Sequence, residues 1–214
     1  MRKMNMNLPT EYLADKWHTL LTACRVEDEQ ASPHYINLLK AYDEPHRAYH
    51  NLAHIEHFLL ELDEALLVEP AAQWACWYHD VIYQPGANNN EMRSAQMAMQ
   101  TLKLLGLDDV LCSRVFELIE ATKMHQCAPN DLEQGLFLDA DMAILGAPAD
   151  QYTNYARGVR VEYGNVPEVL YKMGRKRFLK KILARDRIFL TEQFRQRYEQ
   201  IARHNILTEL KAGI

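Results

Sequence analysis

A chain of 214 residues is long enough for one domain with a substantial core. Hydrophobic residues at 48%, charged residues at 25%, a formal charge of −5 and a pI near 6.0 describe an ordinary globular protein. They give no global reason to expect nucleic acid or an anionic membrane as partner. The four cysteines (Cys24, Cys76, Cys112 and Cys127) show no CxxC spacing, which is the pattern of reduced thiols in a cytoplasmic protein. Residues 1–10 hold no apolar signal core, and no apolar run approaches the ~20 residues of a membrane span. The expectation is a soluble cytoplasmic protein.

Nearly every segment carries a helical period. Pro9-Thr10 opens a helix whose Leu13, Trp17, Leu20, Leu21 and Cys24 share one stripe. Ser32-Pro33 reads as an N-cap and a proline at the first helical position, with Ile36, Leu39 and Tyr42 following and Pro45 closing the element. A longer helix is expected over 51–67, with Leu52, Ile55, Leu59, Leu62 and Leu66 at core spacing. Pro70 starts the next, through Trp74, Trp77 and Tyr78 to about residue 82. After the turn formers of 84–89, Asn90 reads as the cap of a helix through Leu102 and Leu105 that Gly106 ends. Asp108 caps another, with Leu111, Val115, Leu118, Ile119 and Thr122 inward.

Beyond the connector Cys127-Ala-Pro-Asn130, a helix carries Leu136, Asp139, Asp141, Ile144 and Leu145, and Gly146-Ala-Pro148 stops it. Tyr152, Tyr155, Val159 and Tyr163 form a further stripe, read as core packing ahead of a pocket or a homodimer face. From Pro167 on, two helices meet near Arg187, the second capped by Thr191. No alternating β-branched segment and no hairpin dipeptide interrupts this series. The expected fold is all-α: one helical bundle of about nine or ten helices over 1–214. Such a bundle builds its sites from side chains pointing inward off facing helices.

The chain is organised around Trp74-Ala-Cys-Trp-Tyr-His79-Asp80. An imidazole and a carboxylate follow a dense aromatic run, where uncompensated charge would cost several kcal/mol. Alone, the pair reads equally as a helix cap or as a metal or catalytic site. Three segments bear on the choice. In Tyr49-His50-Asn51-Leu52-Ala53-His54 two histidines four apart would share a helix face, with His57 a turn further on. In Phe137-Leu138-Asp139-Ala140-Asp141-Met142 two aspartates interrupt an apolar helix about 200° apart, so at least one points inward. In Glu120-Ala-Thr122-Lys-Met-His125 the polar groups read first as a fraying helix end. Mixed imidazole and carboxylate groups suit a divalent ion such as Mn²⁺, Fe²⁺, Zn²⁺, Mg²⁺ or Ni²⁺ with open positions for water, and the absence of a thiolate set argues against structural zinc. An open site of this kind suits hydrolysis at a phosphoryl group.

The order His54, His79-Asp80, Asp141 resembles the H…HD…D signature of the HD-domain superfamily of all-helical, metal-dependent phosphohydrolases. Tyr49-His50-Asn51-x-x-His54, Asn90-Glu91-x-x-Ser94-Ala95, Ala121-Thr122-Lys-Met and Asp139-Ala-Asp141-Met are similar to motifs of its cyclic-nucleotide phosphodiesterase branch. The whole chain resembles a bacterial family of predicted HD-superfamily phosphohydrolases. The resemblance implies a single HD-type domain, with a metal-site core at 45–146 and helices at 149–212 packing on it. It implies that His54, His79, Asp80 and Asp141 ligate a first divalent metal, and it favours Asp141 over Asp139 as ligand. His50 and Asp80 would be catalytic, with His50 as general acid or as ligand to a second ion. Glu91, His125 and Asp139 would support the site or a second metal. The purine-reading glutamine and aromatic clamp of the phosphodiesterases have no counterpart here, so cyclic-nucleotide specificity is not carried over. A small-molecule phosphoester, such as a nucleotide, is the expected substrate class. An HD-fold di-iron oxygenase and a non-catalytic nucleotide- or metal-binding sensor are the alternatives.

Lys172, Arg175, Lys176, Arg177, Lys180, Lys181, Arg185 and Arg187 put eight cations within sixteen residues. They read as a solvated face or as a phosphate clamp, with Arg175 or Arg177 holding substrate phosphate bidentately. A nucleic-acid surface ranks third, because the net charge is acidic and Phe178 is the one aromatic residue among the cations.

Overall fold

The computed structural model describes residues 10–213; Pro9, the first of the helix-opening pair, and the rest of the N-terminal segment read above for a signal lie outside them. Among the described residues there are ten α-helices, one 3-10 turn and no strand. The protein is all-α, as the periodicity implied. The chain divides into two compact units, Met1–Gln126 and Cys127–Ile214.

The first unit holds α1 (Glu11–Cys24), α2 (Asp28–Tyr42), α3 (Leu52–Glu64), α4 (Pro70–Tyr78), α5 (Asn90–Leu104) and α6 (Asp109–Thr122). Its centre is α4. Every α4 residue from Ala71 to Tyr78 is buried, and the helix packs against α1, α3, α5 and α6. A helix this apolar on all sides can exist only when neighbours cover it all round. Trp17, Tyr35, Trp74 and Trp77 form one aromatic cluster, with ring centroids 4.8 to 5.9 Å apart in stacked and edge-on pairs. Tyr42 closes it by donating its hydroxyl to the Trp77 carbonyl at 2.9 Å.

Several helix boundaries sit where the sequence placed them. Pro70 begins α4 at its first position, the Asp108 carboxylate caps α6 by accepting from Leu111 N at 2.9 Å, and Gly106 takes the left-handed conformation after α5. Two starts differ. The second helix begins at Asp28, so Pro33 lies inside it rather than at its first turn. Burial of Ala31 and the stacking of Tyr35 on Trp17 hold this segment helical on both sides of the proline. Asn90 is the first residue of α5 and does not cap it. Its amide instead exchanges hydrogen bonds with Gln84 N and Gln84 O, at 3.2 and 3.0 Å, and so closes the 84–90 loop.

The second unit holds α7 (Leu132–Met142), the 3-10 turn (Ala143–Gly146), α8 (Ala149–Glu162), α9 (Glu168–Leu183) and α10 (Glu192–Ala212). The turn packs closely on α10 because Gly146 has no side chain: a Cβ there would lie 2.5 Å from Tyr198 Cβ. Asn205, buried on α10, donates to the carbonyls of Leu145 and Ala147 at 3.0 and 2.9 Å. The link between α9 and α10 is fastened by α10 itself. The Glu199 carboxylate accepts from Ile188 N and Phe189 N at 3.0 and 3.1 Å. The Arg203 guanidinium donates to the carbonyls of Leu183, Arg185 and Asp186.

Gly146→Ala is expected to destabilise the protein by about 1–3 kcal/mol, the usual cost of overpacking a tight contact. Chemical denaturation checks this; an unchanged midpoint would mean that α10 can step back from the turn at no cost.

Candidate metal centre

The site grows from the end of α4. His79 is the C-cap of that helix, and its Nδ1 lies 2.9 Å from the carbonyl oxygen of Cys76. A carbonyl can only accept, so Nδ1 carries a proton and Nε2 is the nitrogen left to face the other groups of the site. That Nε2 lies 3.0 Å from His54 Nε2 and 3.1 Å from Asp80 Oδ2. Two further imidazoles approach the same carboxylate oxygen: His54 Nε2 at 3.8 Å and His50 Nε2 at 4.0 Å. A bare imidazole nitrogen facing a carboxylate oxygen at this distance is repulsive unless a cation lies between them. Protonation of His79 supplies one such cation and a metal ion supplies another. Separations near 3 Å match the edges of an octahedron with bonds of ~2.1 Å. The C-terminal end of α4 adds negative potential, which favours a cation at this spot.

The surroundings are rigid and largely dry. His54 and His79 are 4% and 2% exposed, and Phe58 packs on both rings at centroid distances of 6.2 and 5.2 Å. Burial pulls the Asp80 carboxyl upward, but the charge and hydrogen bond of His79, with His50 and His54 behind it, carry it well below the usual carboxylate range. The carboxylate is thus kept ionised in a half-buried position.

His54 and His79, in the first unit, each offer an imidazole nitrogen that could ligate a metal ion, and Asp141, the carboxylate candidate of the second unit, is half-buried on α7. Glu91 lies in the first turn of α5, with Oε2 enclosed and making no hydrogen bond among the described residues. His125 follows α6 with a positive φ of 47°.

Four placements expected from the sequence change in the structure. His50 does not share a helix face with His54, because α3 starts at Leu52. Asn51 caps that helix from an extended backbone, accepting from Ala53 N at 2.9 Å. His50 therefore sits in the entering turn, its ring stacked on Tyr83 at 4.2 Å between centroids. Asp139 is buried, but its carboxylate is taken up by the start of α10. It accepts from Leu190 N, Thr191 N and the Thr191 hydroxyl, each at 2.7 Å. Burial pushes its carboxyl up to about 6 against the pull of those donors. Thr191 stands at the N-cap position of α10, yet its hydroxyl goes to Asp139 rather than capping the helix.

Arg175, read from the sequence as a phosphate clamp, is 6% exposed and already holds a carboxylate. It grips Glu209 with Nε and Nη2 at 2.8 and 3.0 Å, and donates to the Tyr155 hydroxyl at 3.0 Å. Tyr152 joins the same Glu209 at 2.5 Å, so Tyr152 and Tyr155 belong to the core of the second unit. Arg177, two positions on and ~200° around the helix, is exposed.

One residue escapes the sequence reading altogether. Arg47 is buried and donates hydrogen bonds to Glu44, His50, Asp80 and Val81. Nothing in the sequence separates an arginine of this kind from a solvated one.

No protein-family model, no curated protein and no solved structure matches the chain.

Asp139→Asn is expected to lower the denaturation midpoint, since an amide oxygen cannot serve all three donors, while Mn²⁺ affinity measured by calorimetry stays nearly unchanged. An affinity loss as large as that of Asp141→Asn would instead put Asp139 in the ligand set.

Proposed function

We propose that this protein is a metal-dependent phosphohydrolase that cleaves a small phosphoester, a nucleotide or a related phosphate. The reading is supported above all by the meeting of His54 Nε2, His79 Nε2 and Asp80 Oδ2, with His79 Nδ1 committed to the Cys76 carbonyl. Together with the motif order His54, His79-Asp80, Asp141, this is the donor set expected of an HD-superfamily hydrolase.

The residues take distinct roles in the proposal. By the resemblance in motif order, His54, His79, Asp80 and Asp141 would hold the divalent ion. When bound, it would supply Lewis acidity, making water nucleophilic near neutral pH and drawing charge off a phosphoryl oxygen. Asp80 is held ionised by its histidine neighbours in the metal-free protein, and its charge would offset that of the ion. His50 stands 4.0 Å from Asp80 Oδ2 at the edge of the cluster, with its side chain 21% exposed. From that position it can meet a substrate and give a proton to the leaving alkoxide. The Tyr83 ring against His50 limits the rotamers it can adopt.

Metal analysis of protein purified without chelator, followed by a phosphoester panel with Mn²⁺ added back, tests the proposal. Turnover is expected to disappear in Asp80→Ala and to fall about 10²–10⁴-fold in His50→Ala, the usual worth of a general acid. Bound iron pairs with no hydrolysis would replace this reading with an HD-fold oxygenase. Stable nucleotide binding without turnover would replace it with a sensor.

A further inference from the structure

Arg47 has a fully buried side chain and uses its guanidinium as a fork between two segments. Nε donates to Glu44 Oε2 at 2.9 Å. Nη1 donates to the carbonyls of His50 at 3.1 Å and Asp80 at 2.7 Å, and Nη2 to that of Val81 at 3.0 Å. The flat of the group lies near the rings of Tyr42 and Tyr83, with Cζ 5.1 and 5.5 Å from their centroids. A buried cation is costly unless its donors are met, and here one carboxylate and three carbonyls accept from four of the five N–H groups.

The position of those acceptors is what matters. The His50 carbonyl belongs to the turn that enters α3, and the Asp80 and Val81 carbonyls belong to the turn that leaves α4. Neither turn is helical there; one backbone bond shapes each, Asn51 N to Tyr49 O at 2.8 Å and Val81 N to Tyr78 O at 3.1 Å, and Arg47 is the side chain that joins the two. We infer that Arg47 is the positioning residue of the metal centre, a clamp that sets the backbone of His50 and Asp80 relative to each other. The inference rests on the metal reading proposed for the site. Arg47 touches no metal or substrate; it acts by holding the two turns from which a ligand and the proposed acid project. Residues that orient ligands from behind are commonly worth about 10–100-fold in metal affinity. A lysine cannot take this place: its three donors spread from one atom, whereas the carbonyls are met by two separate nitrogens.

Calorimetric titration of full-length, metal-free protein with Mn²⁺ tests the inference. Arg47→Met is compared with wild type, with Arg47→Lys and with Leu118→Ala, a core truncation on α6 that serves as a stability control. Arg47→Met is expected to lose about 10–100-fold in affinity with helical circular dichroism retained. Arg47→Lys should recover little of that loss, and Leu118→Ala should bind as wild type does. Hydrogen exchange of residues 79–83 in the metal-free protein should quicken in Arg47→Met and Arg47→Lys and not in Leu118→Ala. Wild-type affinity in Arg47→Met would overturn this inference and leave the metal reading standing. Wild-type affinity in Arg47→Lys would overturn the fork geometry. A wild-type protein that binds no Mn²⁺ would overturn the metal reading, and the inference with it.

Discussion

The hydrogen bond from His79 Nδ1 to the Cys76 carbonyl, 2.9 Å long, is the contact on which the geometry of the candidate metal centre turns. It assigns the proton to one ring nitrogen and leaves the other to face Asp80 and His54. It can do so reliably only because its acceptor lies in α4, a helix with no exposed side from Ala71 to Tyr78. The tryptophan and tyrosine rings around that helix are therefore part of the site. They hold a carbonyl in place, the carbonyl fixes the proton on Nδ1, and Nε2 is left facing Asp80 and His54. Weakening the aromatic packing would blur the geometry of the donors before it unfolded the protein.

The same economy of fixed backbone recurs away from the centre. Irregular segments cannot satisfy their own polar groups and are pinned by single buried side chains. Arg47 does this for the turns at 50 and 80–81. In the second unit Asp139, Glu199 and Arg203 do it for the link before α10. Each is a charged residue that composition alone would assign to solvent. Arg175, paired with Glu209 and Tyr155, is a further buried charge, and it shows why a run of cations is not by itself a phosphate site.

Much of the helical framework is legible in the sequence because its signals are local. Proline at the first turn of α4, aspartate before α6 and glycine after α5 act through their own backbone. The stripe of Leu13, Trp17, Leu20 and Leu21 is buried as its spacing implies. What is not legible depends on partners distant in sequence. Pro33 stays helical because Tyr35 stacks on Trp17. Asp139 and Asp141 are chemically alike, and only the presence of Leu190 N and Thr191 N shows which carboxylate is taken up by the link before α10. Counting residues places His50 on the helix, whereas the Asn51 cap sends it into the preceding turn. Arg175 falls on the same stripe as Tyr171, Leu179 and Ile182, a periodicity that is enough to show it turning inward.

The central claim is that His54 and His79 place two imidazole nitrogens on one divalent ion, and electron spin-echo spectroscopy of the Mn²⁺-loaded protein addresses it directly. Nitrogen modulation from two imidazoles is expected in the wild type, reduced to one in His79→Gln. Bound Mn²⁺ with no nitrogen modulation would contradict the account.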